Sequence, residues 1–303
     1  MPGNLPSVEV VAGNGSVIMK AGLSICFYMR RSHRELAPLI SQALRTYIQA
    51  VGRQALTWYP DLEGEWRVLD DSALESIHQE LLTHSAPYIH LRDSYGSLID
   101  HQFLYRGVDL DSPESRRAPG LHTCAVSFWL PAQPLQPQGP GPFRELALSL
   151  AKPLPFNSGH AGPTFHAWLG MKDLMQHMFQ LGLRYPGLDV PDERNNAYSV
   201  GEGIQGVHWM NFLGPPVLEA LGGASALEAR LQTPGTSVLA LGEDRAVVTL
   251  GAEPDAGDTA EGRMLPAHRE LARILEPWFA AREGSRRLRD NDALRRWERR
   301  FLD

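Results

Sequence analysis

The chain has 303 residues, 43% of them apolar and 21% charged, with a formal net charge of −6. These proportions exclude a disordered or fibrous protein, and no apolar run reaches the roughly 18 residues a membrane-crossing helix needs. A chain of this length forms one large domain or two fused ones and buries about 75% of its unfolded surface without disulfide or metal support.

The first residues, Met1 to Val11, carry no cation ahead of their short apolar stretch, so they do not read as a secretory leader. A β-rich run at Leu23–Met29 follows. Leu36, Leu39, Ile40, Ala43, Leu44, Tyr47, Ile48 and Val51 then recur at helical spacing, with Gly52 placed to stop the helix. Ser32 and Glu35 match a capping box at its start, although Pro38 falls inside. A strand is expected through Leu56–Tyr59, then a second helix with Ser72 and Glu75 as its capping box. Further strands are expected at Leu98–Gly107 and His122–Leu130. Residues 131 to 142 contain five prolines and two glycines, which marks an exposed loop and the best place for any subdivision.

Beyond that loop the pattern predicts a helix near Arg144–Ala151, a strand near Thr164–Leu169 and a helix near Met171–Leu183. A strand at Val207–Phe212, a short helix at Val217–Leu221, a hairpin over Ser237–Leu250 and a helix over Pro266–Ala281 follow. The tetrad Arg-Glu-Leu-Ala recurs at positions 34, 144 and 269, each time opening a helix. Interleaved strands and helices of this kind predict an α+β fold of mixed, mainly antiparallel sheets with helices packed on their faces. Residues 1–281 are expected to form one domain. Residues 282–303 carry eight arginines against five acids, a local +3 that leaves −9 on the rest. Leu294, Trp297 and Phe301 give this basic tail one apolar stripe, so it is expected to be a short helix docked on the body.

Catalytic signatures are missing. Gly201, Gly203 and Gly206 spell a dinucleotide fingerprint, but Val207–Phe212 after them reads as a strand and not a helix. The 11 histidines show no HExxH spacing and the chain no CxxC, so no metal, cofactor or catalytic residue is assigned. Cys26 and Cys124 sit in apolar β-runs and read as buried small side chains of a protein in a reducing compartment. Ser158, His160 and His166 form the densest polar cluster. They read as a glycine-bearing turn, with a small-molecule or enzymatic site around His160 and His166 as the alternative. An acidic body argues against a nucleic-acid binder and suits a basic protein partner. The acids of three loops are the candidate contacts: Asp61, Glu63 and Glu65; Asp109 and Asp111; Asp192 and Glu193.

Several stretches together resemble the type VI secretion immunity family. They are Leu56–Tyr59 with Trp66, Leu154–Gly162, Arg184–Val190, Ile204–Gly214 and Leu265–Ala272 with Glu276–Trp278. The resemblance runs from about residue 20 to 282. It implies a non-enzymatic antitoxin that binds a cognate type VI effector and blocks its active site or its productive assembly. Absence of a leader directs that reading to a cytoplasmic nuclease toxin. An effector adaptor or chaperone is the remaining alternative. The family motifs, rich in Gly, Pro, Trp and Phe, imply turns and core and not the toxin-binding surface.

Overall fold

A computed structural model describes residues 5–117, 122–132, 139–167, 172–280 and 292–303. Strands β1 (Glu9–Val11) and β2 (Val17–Met29) lead into helix α1 (His33–Val51). Strands β3 (Trp58–Pro60) and β4 (Trp66–Val68), helix α2 (Asp71–Thr83), strands β5 (Tyr88–Arg92) and β6 (Gln102–Arg106) and helix α3 (Pro113–Arg117) come next. Then follow β7 (Cys124–Pro131), α4 (Gly141–Ala151), β8 (Ser158–Ala167), α5 (Lys172–Arg184), α6 (Glu193–Asn196) and β9 (Met210–Leu213). The chain continues through α7 (Val217–Ala220), α8 (Gly223–Arg230), β10 (Thr236–Ala240), β11 (Ala246–Leu250), α9 (Pro266–Leu275) and α10 (Asp292–Glu298).

The eleven strands of the described residues form one antiparallel sheet in the order β10-β11-β9-β8-β2-β7-β6-β5-β3-β4, with β1 paired to β2. The expected α+β architecture is therefore the observed one. Strand β2 is the spine: Met19–Tyr28 pairs with β8 on one side, and Gly22–Met29 pairs with β7 on the other. Alternation along β2 sorts its side chains between two layers. Leu23, Ile25, Phe27 and Met29 pack with the apolar stripes of α1, α2 and α4, whereas Cys26 and Tyr28 face Ala197 and Val200. On β11, Val247 joins the first core, while Ala246, Val248 and Leu250 join a second one with α9 and Phe301. A third core gathers Met19, Phe165, Met178, Phe179, Leu188 and Trp297.

Several local expectations shift. Helix α1 starts at His33 and continues through Pro38. Helix α2 is capped not by Ser72 but by Asp70, whose carboxylate accepts the Ala73 amide at 2.8 Å. Strand β8 begins at Ser158, so the predicted turn over 157–162 is a paired strand. The last large helix gives way at Leu275 to a 3-10 turn containing Pro277. Both cysteines are buried. The tail helix α10 docks on α5 with Leu294, Trp297 and Phe301 buried, as their spacing predicts. Most of the Pro-rich segment, 133–138, and the start of the tail, 281–291, lie outside the described residues. Strands β7 and β8, on either side of the Pro-rich segment, both pair with β2, so the sheet runs across that position without a break.

Candidate functional site

Two regions concentrate chemistry. One is a buried polar cluster on the Cys26 face of the sheet; the other is an exposed aromatic and acidic end.

The buried cluster is built around β8. His160 faces Asp189, with Nε2 3.5 Å from Oδ2, and His208 reaches the same carboxylate, with Nε2 3.3 Å from Oδ1. The two imidazoles stack at 3.9 Å, 14° from parallel. All three side chains are at most 10% exposed. The backbone fixes them firmly. Asp189 donates its amide to the Pro163 carbonyl and accepts the Phe165 amide, which ties it to β8. Asn211 holds His208 twice, accepting its amide at 2.8 Å and donating to its carbonyl at 2.7 Å. Burial pushes Asp189 up, but the contacts with His208 and His160 outweigh it and hold the carboxyl well below the usual range. Burial, with the neighbouring His160 imidazole, pushes His208 down to about 4. Beside this trio, Trp129 donates its indole N–H to Glu193 at 3.1 Å, and Asn196 donates to the Tyr28 hydroxyl.

Gly187 seats the segment that carries Asp189. A methyl group there would fall 2.1 Å from the Asp255 carbonyl oxygen, a backbone atom that cannot step aside. Gly187→Ala is expected to cost about 1–3 kcal/mol or more, read as a lowered urea midpoint with an unchanged m-value.

His160 and His166 do not form one site. Six residues apart on a strand, they share a face but stand about 20 Å from each other. His166 is instead stacked on Trp129 at 4.5 Å and bonded to the Leu23 carbonyl. Ser158 also lies on β8, but its hydroxyl makes no hydrogen bond, so it has no base. The glycine-rich segment at 201–206 precedes no helix, and Ile204 bridges to Phe279.

The exposed end lies at β3, β4 and β5. Arg92 sits 3.2 Å above the Trp66 ring and 5.6 Å from Tyr95, and Tyr95 packs on Trp58. Leu62 is 100% exposed at the tip of the β3–β4 turn, with Val68, Tyr88 and Tyr95 also exposed. Asp61 builds this turn: its carboxylate accepts the Glu63 and Glu65 amides and the Arg67 guanidinium. The Arg67 bond holds the Asp61 carboxyl below its ordinary value. Glu63 and Glu65 project from the turn into solvent.

The candidate acids thus divide by location. Strands β3 and β6 both run antiparallel to β5, so the 61–65 turn and the 107–111 segment leave the sheet at the same end. Asp109 accepts the Asp111 amide, and Asp111 borders a mixed-sign cleft of about 500 Å³ with Arg30, Arg31, Asp244 and Arg245. Asp192 and Glu193 lie elsewhere, at the start of α6 over the other face. Glu193 is not a surface acid: it is 6% exposed and bonded to Trp129. The aromatic group around Arg92, which the sequence reading did not select, had only Tyr95, three residues on, as a local signal, because Trp66 is brought to it by the fold.

Among the described residues, no helix is long and apolar enough to cross a membrane. No curated protein matches the sequence. The Pseudomonas aeruginosa T6SS protein PA0821 superposes with a TM-score of 0.80 over 98% of this chain and 88% of its own length, at 18% identity, a likeness of fold. The family described as type VI immunity for VRR-NUC matches residues 39–301. That span covers most of the sheet and both helical layers, and the chain belongs to this family of immunity proteins directed at type VI nuclease effectors.

Proposed function

We propose that this chain is a non-catalytic, cytoplasmic inhibitor that docks the β3–β5 end of its sheet onto its nuclease effector and covers the active site. The observation that carries this reading is the 61–65 turn: a fully exposed Leu62 next to the exposed Glu63 and Glu65, on a loop stiffened by Asp61. Exposed aliphatic and aromatic groups around an arginine are the chemistry of interface anchors. A nuclease must hold phosphates and so presents cations. Carboxylates on a rigid tip complement that surface and speed encounter. A nuclease also meets its nucleic acid in the cytoplasm, where an antitoxin must wait.

The test is co-expression with the neighbouring effector gene in a host that the effector alone kills. The wild-type chain should rescue growth and co-purify with the effector. The double variant Glu63→Arg/Glu65→Arg should associate about tenfold more slowly at low salt and show a flatter salt dependence. Unchanged association kinetics in the charge-reversed protein would remove this face from the interface.

A further inference from the structure

We propose that His160, Asp189 and His208 form a binding site for one divalent transition-metal ion of the zinc type, which staples the segment carrying Asp189 and the segment carrying His208 to strand β8. The site is independent of effector docking.

Two imidazoles and a carboxylate are the nitrogen and oxygen donors that such ions take. Metal–ligand bonds of about 2.05 Å at tetrahedral angles place donor atoms about 3.4 Å apart. The imidazole nitrogens lie 3.5 and 3.3 Å from the carboxylate oxygens, and one donor atom from each residue falls within a 4.8 Å set. The donors come from three separate segments whose backbones are already pinned, Asp189 through Pro163 and Phe165 and His208 through Asn211. Nδ1 of His208 makes no hydrogen bond, and Nε2 faces Asp189 Oδ1 at 3.3 Å without hydrogen-bond geometry, although the side chain is only 4% exposed. A buried polar nitrogen without a hydrogen bond is costly, and an ion would take up the lone pair of an unprotonated ring nitrogen. The rings now lie nearly parallel, so binding needs each to turn about its side-chain torsions until the two nitrogens converge. With one carboxylate bound, a dication keeps one positive charge. Burial now favours the neutral form of Glu193, and the added positive charge would favour its ionised form, which offsets it.

The experiment uses the full chain, stripped with chelator and titrated with Zn²⁺ alone at pH 7.5. One equivalent should bind, and Co²⁺ in its place should give the visible absorption of a four-coordinate ion. At a hundredfold excess of Zn²⁺ over its Kd, the melting midpoint should rise by about 5 °C. His160→Gln and His208→Gln should take up no ion and show no rise. Uptake and rise undiminished in His208→Gln would overturn the assignment, as would no stoichiometric uptake by the wild-type chain. If the variants do not fold, the wild-type protein decides: Zn²⁺ that leaves the His160 and His208 imidazole NMR signals unmoved overturns the site.

Discussion

Trp129→Ala should be the most destabilising single substitution tested, lowering stability by more than 4 kcal/mol. Truncating a fully buried Trp costs about 3–5 kcal/mol through lost transfer and the cavity left behind. Trp129 is 1% exposed, stacks on His166 and donates to Glu193. Removing the indole also leaves a buried carboxyl without its donor, a further cost of about 1–3 kcal/mol. Against a typical total of about 5–15 kcal/mol, that is enough to unfold much of the population. Trp129→Phe keeps one aromatic ring but loses the N–H together with part of the indole, and the pH dependence of its deficit isolates the N–H.

The sign of its pH dependence follows from Glu193. Burial pushes the Glu193 carboxyl up, and the Trp129 N–H pulls it back down in part. Between the unfolded value near pH 4.3 and the raised folded value, the native state holds a proton that the unfolded chain releases. Stability therefore falls as pH rises through that window. Losing the N–H raises the folded value further and widens the window. The deficit of Trp129→Phe relative to wild type should be smallest near pH 4 and grow toward neutrality. Urea denaturation at pH 4 and pH 7 measures it, and a deficit independent of pH would show that the indole N–H does not stabilise the ionised carboxyl.

Leu62→Arg and Tyr95→Ala should each weaken effector binding by about 30-fold, the cost of losing a hot-spot anchor worth about 2 kcal/mol. Leu62 is wholly exposed, so its replacement leaves the fold intact and any loss belongs to the interface. Tyr95 packs on Trp58 and Arg92, so its circular dichroism and melting midpoint must be followed alongside Kd. Wild-type affinity in both variants would move the contact surface away from this end of the sheet.

Helices were far more legible in the sequence than the sheet. Leu36, Ile40, Leu44 and Tyr47 repeat at helical spacing because α1 buries one stripe, and all four are buried. The same holds for Leu294, Trp297 and Phe301 of the tail. Strands β4 and β5 escaped notice because three to five residues give too little alternation to detect. The first half of β8 was misread because Gly159 and Gly162 signal a turn. Gly159 is there for close approach: a Cβ would lie 2.6 Å from the Cys26 carbonyl oxygen of the neighbouring strand. The buried trio was invisible for a different reason. Its members come from three segments joined only by tertiary structure, so no local spacing announces it. Among the acids, a bare sequence cannot separate Glu63, which faces water, from Glu193, which Trp129 holds inside.

Strand β2 lies early in the chain, yet half of its hydrogen-bonding capacity is reserved for a strand made much later. Its pairing with β8 covers ten residues, from Met19 to Tyr28. A polypeptide released before β8 is synthesised would display that whole stretch as a bare, apolar edge, a template for pairing with other chains. Interrupted synthesis thus produces aggregation-prone material and no partial antidote, so a cell's protection is counted in finished molecules alone.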